Sequence, residues 1–413
     1  MADTLQVYWN RVLVGTLEHK ATRLAFRYDA QYLSRTGAMP LSRHLPLQHE
    51  AFDHEASAAF FANLLPEGDI RRQVARNVGV SAENIFAMLA AIGGDCAGAV
   101  SLLPPGVSVD ARGFYHPISR EKLAEELAHL PAHPFLAGDE GVRLSLAGAQ
   151  NKLPIYYDGR DFFIPEGHYP SSHILKTAIA QLDGSVANEA FCMTLARNVG
   201  LPVPLAEIVD VNGTPVYLVE RYDRALRADG TIERLHQEDF CQALGIPPEM
   251  KYEAEGGPGF RDCFKLVELW SDEPIVDSLV LLDWVLFNLL IGNADSHAKN
   301  LSLLYAGGTI RLAPFYDLLS TAVYERINNK LAMKMGGQRD HRYLAPHHLV
   351  RFVEEIGIEL RTVKIRMKEL IERVNRAIEL MRKGDASGLL STPVATSILQ
   401  VMVRRQQKMK SLI

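Results

Sequence analysis

The sequence predicts an α+β fold of two lobes, strand-rich and then helical, preceded by a small additional α/β subdomain. Three observations lead to it. Residues 142 to 221 read as short runs of alternating polarity broken by turn signals such as Asp158-Gly159. Nearly everything periodic after Arg234 has helical spacing, most clearly Val363, Met367, Leu370, Ile371, Val374, Ile378 and Met381. The opening residues combine a hairpin with helical stretches and close at Pro104-Pro-Gly106. The expected domains are therefore 1–105, 106–234 and 235–413.

In the first of these, Val7-Tyr-Trp9 and Val12-Leu-Val-Gly-Thr-Leu17 flank Asn10-Arg11, which predicts an antiparallel hairpin. Helical patterns follow from about Ser57 to Leu65 and from Arg71 to Val78, and Ser81 opens a third. Pro131, Pro134 and Gly138 mark a connection around one short helix near 118–129. The middle domain then reads as strand 142–146, loop Ala147-Gly-Ala-Gln-Asn-Lys152, strand 153–157, strand 161–164, strand 172–176, a helix near 185–198 and a strand 215–221. In the last domain, Leu301 to Tyr305 and Thr309 to Leu312 form a hairpin around Ala306-Gly-Gly308, and Thr392-Pro393 supplies the cap and first turn of a final helix.

With 413 residues, 47% hydrophobic and 23% charged, the chain has the composition of a globular protein with sizeable cores, not of a disordered one. A formal charge of -5 offers no global attraction to nucleic acid, so direct DNA binding is not expected. Cys96, Cys192, Cys241 and Cys263 form no C-x-x-C pair and no cluster of zinc spacing, which points to free buried thiols in a reducing cytosol. The N-terminus shows no basic region followed by an apolar core, so no secretory signal is read and a cytoplasmic location is expected. The most apolar segment, Ile275 to Gly292, carries Asp277, Asp283 and Asn288, as a buried helix does and a membrane span does not.

Asp295-Ser-His-Ala-Lys-Asn300 followed by Pro314-Phe-Tyr-Asp317 carries the chemistry. An Asp at the start of a short loop can accept the proton of a substrate hydroxyl, an Asn five positions on can hold Mg²⁺, and an Asp after a hairpin returns to the same metal. Protein kinases use that D-x-x-x-x-N spacing. Lys299 can neutralise charge on a transferred phosphoryl group or face solvent, and His297 reads as a structural histidine because Asp295 is the better proton acceptor.

Upstream, small residues in Ser145-Leu-Ala147-Gly148-Ala149-Gln150-Asn151-Lys152 would let backbone N–H groups approach phosphate oxygens, although such a loop is more often an ordinary turn. Lys176 ends an apolar strand and can meet the α- and β-phosphates, with Glu189 its natural partner. Tyr217-Leu-Val-Glu220-Arg-Tyr222 reads as the strand linking the lobes, whose backbone could bind the adenine edge across a nucleotide cleft. The adjacent His347 and His348 read as a surface pair, and Arg404-Arg405 with Lys408 and Lys410 as a solvated helix face.

These motifs, taken together and in order, resemble the HipA family of serine/threonine kinase toxins from bacterial HipBA toxin-antitoxin modules. Asn63-Leu-Leu-Pro-Glu-Gly68 and Gly93-Gly-Asp-Cys-Ala-Gly-Ala-Val100 are similar to that family's first subdomain, and Ser145 to Lys152 to its phosphate loop. His173-Ile-Leu-Lys176, Val219-Glu-Arg-Tyr-Asp-Arg224, His236-Gln-Glu-Asp239 and the two catalytic segments continue the match over nearly the full length. The resemblance implies a two-lobed protein-kinase-like fold and ATP-Mg²⁺-dependent transfer to a protein Ser or Thr. It implies Asp295 as base, Asn300 and Asp317 as metal ligands, Lys176 on the phosphates and a silencing autophosphorylation at Ser145. It further implies a small helix-turn-helix HipB-like antitoxin that brings operator DNA, and an aminoacyl-tRNA synthetase target such as the glutamyl enzyme. A small-molecule or lipid kinase and a catalytically idle corepressor module are the competing readings.

Overall fold

The computed structural model describes all residues except 1–2, 108, 110–113, 140, 149 and 385–387. The chain divides into two units. One comprises Met1–Thr177, Val209–Glu249 and Leu304–Ala306, and the other Ala178–Ile208, Met250–Leu303 and Gly307–Ile413.

Two larger sheets and the two-stranded ribbon of Arg224–Leu226 with Ile232–Arg234 lie in the first unit. The smaller sheet has strand order Arg23–Tyr28, Val12–Lys20, Thr4–Trp9, Val100–Leu103, antiparallel in all three pairings. Alternation buries Leu5, Val7, Leu17, Leu24 and Phe26 on one face, as period-two polarity requires. Gly15 permits the closest approach: a Cβ there would lie 2.3 Å from the Arg27 carbonyl oxygen. Helices His54–Phe61, Gly68–Asn77 and Ile85–Ile92 accompany this sheet, the first and third begun by Asp53 and Asn84, whose side chains accept from Ala56 N and Ala87 N. These caps explain why the first helix starts before Ser57 and the third only after Ser81. The larger sheet runs Tyr115–Ile118, Phe162–Pro165, Lys152–Tyr157, His173–Lys176, Thr214–Glu220, Ala206–Val211.

Two strand assignments need correction. Residues 142–146 alternate in polarity but make only one isolated bridge, Leu144 to Asp95, because their main chain bonds to the Asp95 segment on both sides (Asp95 N to Arg143 O, 2.9 Å; Ser145 N to Asp95 O, 3.1 Å). Conversely, His236–Asp239 is a strand inside what reads as helical sequence.

The second unit is built on helices Ser185–Asn198, Phe260–Trp270, Pro274–Ile291, Pro346–Ile356, Leu360–Lys383 and Pro393–Lys410. Pro274–Ile291 is long and apolar enough to cross a membrane, yet most of it is buried, with Leu281 through Ile291 enclosed, which makes it a core helix. Its one deeply buried acid near the middle, Asp283, receives Arg366 (2.8 Å) and Arg373 (2.6 Å) from the Leu360–Lys383 helix. That helix buries Val363, Met367, Leu370, Ile371, Val374 and Ile378. Thr392 caps the last helix through Ala395 N. Arg405 departs from the solvated face expected of the basic tail: it lies between buried Met402 and Met409, and the loss of water lowers its guanidinium pKa to about 10. All four cysteines are free and buried.

Candidate active site

The Pro274–Ile291 helix ends at Gly292, whose left-handed φ of +73° turns the chain abruptly into Asn293-Ala-Asp295. Asn293 then organises the loop. Its Oδ1 accepts from Asp295 N (3.0 Å), while its Nδ2 donates to Asn288 Oδ1 (2.8 Å) and reaches the carbonyl of Asp317 at 3.5 Å. One amide side chain therefore ties the expected base to the expected metal ligand. A second tie runs from Tyr316 OH to the Lys299 carbonyl (2.5 Å). Thr321 Oγ1 accepts from Ala294 N (2.8 Å), and Ala332 N donates to Ala294 O (3.0 Å), so the loop is held from three sides.

Burial within this loop is uneven. Ser296, His297, Lys299 and Asn300 are buried, yet Asp295 is exposed, which suits a base that must meet a bulky acceptor. Asn300 forms the end of the single turn Ala298–Asn300, and its Oδ1 accepts from His297 N (3.1 Å). Asp317 has φ +54°, a left-handed conformation that costs a non-glycine residue energy and is often kept where function fixes a side chain. Asn300 and Asp317 offer hard oxygen donors, one amide and one carboxylate. Magnesium is commonly held by so few protein ligands, phosphate and water completing its shell. Among the described residues no cluster of three His, Cys, Asp or Glu forms a self-sufficient metal cage.

In the first unit, the described part of the 145–152 segment is docked through Ser145 and Gly148. Ser145 is fully buried and donates through Oγ to the Leu64 carbonyl (2.8 Å), and Glu67 N donates to Gly148 O (3.1 Å). Gly148 has φ +106°, and a Cβ there would lie 2.8 Å from Lys152 Nζ, which itself donates to Ala147 O. Gln150 Nε2 donates to Thr177 O (3.3 Å); Asn151 is half-buried, and Ala149 lies outside the described residues. Lys152 and Lys176 are direct register partners on antiparallel strands, and Lys176 in turn pairs with Tyr217, its Nζ 5.9 Å from that ring's centroid. Glu220 pairs with His173 at the other end of the strand with its side chain exposed, and Tyr222 OH donates to Gln237 Oε1.

Sequence reasoning missed the group that fixes the end of this strand. Asp95, fully buried, accepts from Arg221 (3.1 Å), Arg224 (2.7 Å), Arg234 (3.2 Å) and Ser171 Oγ (2.7 Å). Burial alone would raise its carboxyl; the three guanidiniums overturn that and hold it well below the usual range. It also missed Tyr252, whose hydroxyl donates to Asp295 Oδ1 at 2.7 Å and whose ring stands edge-on to His297. No spacing rule points to either residue.

Residues 5–103 match the HipA N-terminal domain and residues 144–379 the HipA-like C-terminal domain. The chain belongs to the HipA family. Among its relatives, the candidate kinase Y4mE of Sinorhizobium fredii is 41% identical over 380 residues, covering 91% of this chain and 90% of that protein. The serine/threonine-protein kinase toxin HipA of Shewanella oneidensis is 31% identical over 386 residues, covering 91% and 88%. A structure of Shewanella oneidensis HipA with HipB and its operator DNA superposes with a TM-score of 0.84 at 29% identity, covering 98% of this chain and 96% of that one. The α+β, two-lobed kinase-like architecture with its extra N-terminal module is thus the HipA fold.

Proposed function

We propose that this HipA-family chain is an ATP- and Mg²⁺-dependent serine/threonine protein kinase. The observation that carries this is the Asn293 side chain joining the backbone of Asp295 to that of Asp317, in a chain whose fold is that of HipA. Asp295 takes the proton of the acceptor hydroxyl, for which its exposure leaves room. Asn300 and Asp317 hold the metal, which when bound neutralises phosphate charge. Lys299 serves the transferred group. In the first unit Ala147, Gly148, Ala149, Gln150, Asn151 and Lys152 cradle phosphates, Lys176 pairs with them, and the backbone at Glu220 and Tyr222 takes the adenine edge.

The reading extends to regulation. Ser145 is the self-phosphorylation site; because its hydroxyl is buried on Leu64 O, modification requires the loop to leave that seat, and the added dianion would keep it out. The relative crystallised with HipB and operator DNA supports a HipB-like antitoxin as partner, with operator contact mainly through that protein and corepression as the joint outcome. The target is a protein whose loss stops growth in the cytoplasm, with an aminoacyl-tRNA synthetase such as the glutamyl enzyme the first candidate.

Intact and peptide mass spectrometry after incubation with ATP and Mg²⁺, beside Asp295→Ala, tests the reading. Phosphate on Ser145 in the wild type alone is expected. Phosphate-free protein that binds ATP but gains no mass would favour a metabolite kinase or an idle corepressor.

A further inference from the structure

We propose that Tyr252 occupies the seat of the acceptor hydroxyl on Asp295 and guards the base against water until a protein hydroxyl displaces it; this rests on the kinase reading above. A general base must receive the acceptor's O–H within about 2.6–3.2 Å. The Tyr252 hydroxyl already fills that relation, donating to Asp295 Oδ1 at 2.7 Å.

The main chain at Asp295 does not need this contact to be placed. Its backbone N is fixed by Asn293 Oδ1 at 3.0 Å, and the residue before it by Thr321 Oγ1 and by Ala332 N. Nor is the contact forced by burial, since Asp295 is exposed and Tyr252 half-buried. Tyr252 instead belongs to a small self-closed loop between the single turns Pro248–Met250 and Glu253–Glu255. The loop folds back so tightly that a Cβ on Gly257 would lie 1.8 Å from Met250 O, and its carbonyl at Tyr252 accepts from Glu255 N and Gly257 N. Beyond the phenol, its ties to the rest of the unit include the edge-on contact with His297, ring centroids 5.2 Å apart, and the Glu253 carboxylate on Lys334. The backbone of the base is thus held by contacts other than the tyrosine's.

The unwanted reaction this would suppress is hydrolysis. Water attacks the γ-phosphorus of ATP, the bond to the β–γ bridging oxygen breaks, and the water's proton passes to Asp295, giving ADP and inorganic phosphate. A phenol on the carboxylate competes with that water as well as with any weak acceptor.

The test is ATP hydrolysis by the full chain with Mg²⁺ and no added protein acceptor, comparing wild type with Tyr252→Phe, which keeps the ring and its packing. ATP affinity is measured separately by fluorescent-nucleotide titration. Removing a hydrogen bond to a charged group should raise hydrolytic kcat about tenfold at unchanged ATP affinity, and Asp295→Ala in the Tyr252→Phe background should erase the gain. Unchanged or lower kcat in Tyr252→Phe would overturn the proposal and make the tyrosine a positioning residue. ATP binding by a wild type that neither hydrolyses ATP nor modifies Ser145 would instead overturn the kinase reading, and this inference with it.

Discussion

Replacing Glu238 by Gln should remove a pH dependence of stability that the native chain carries between about pH 4.5 and 7. Glu238 is fully buried on the strand His236–Asp239 and accepts from Ser42 Oγ (2.6 Å), from Arg43 N (3.2 Å) and from Tyr305 OH. Burial pushes its carboxyl up from 4.5 to about 7 against the pull of those donors. The folded chain therefore keeps a proton that the unfolded chain releases, so this residue's contribution is full below pH 4.5 and is lost as pH rises to 7. At about 1.4 kcal/mol per pH unit the loss is on the order of 3 kcal/mol. Neighbouring His236, lowered to about 4 by burial, acts in the opposite sense: the unfolded chain takes up its proton first, so stability rises with pH between about 4 and 6.5. Both forms of the protein contain that histidine, so the difference between wild type and Glu238→Gln isolates the carboxyl. Urea unfolding at pH 5 and pH 8 measures it through Trp9, whose ring lies 4.2 Å from His236 and 6.1 Å from Tyr305. The stability of Glu238→Gln relative to wild type should improve by about 2–3 kcal/mol between the two pH values. Parallel profiles would refute the argument.

Asp317→Gly should abolish ATP-dependent transfer while raising the melting temperature, because glycine relieves the left-handed backbone at φ +54°, a gain of about 1 kcal/mol; calorimetry showing a lower melting temperature would sink the strain argument. Gly148→Ala should weaken ATP binding in nucleotide titration, since its Cβ would meet Lys152 Nζ at 2.8 Å in a backbone with φ +106°. Asp283→Ala should destabilise the helical unit by about 3 kcal/mol, the low end for a broken buried pair because Arg366 and Arg373 each keep about a quarter of their side-chain surface in water. Chemical denaturation would show a shift under 1 kcal/mol if those pairs contributed nothing.

Features carried by residues close in the chain were legible in the sequence. Asp295 and Asn300 must sit a fixed number of residues apart on one short loop, Thr392 must stand directly before its helix, and the Val363 to Ile378 stripe must repeat each turn, so each leaves a local signature. The same periodicity, followed strictly, places Arg405 with Met402 and Met409 on the inner face; the run of basic neighbours hid it. Residues 142–146 failed for the converse reason. Their polarity alternates like a strand's, but which backbone they bond to is decided by the Asp95 segment nearly fifty residues earlier. The long-range polar contacts lie beyond any periodic signal. Asp95 meets Arg221 across 126 residues, Ser42 meets Glu238 across 196, and Tyr252 meets Asp295 across 43. In each case a side chain of common type gains its role from a partner that the fold, not the spacing, brings to it. That is why the motif residues of the proposed base and metal site could be named from the chain, while the tyrosine on that base could not.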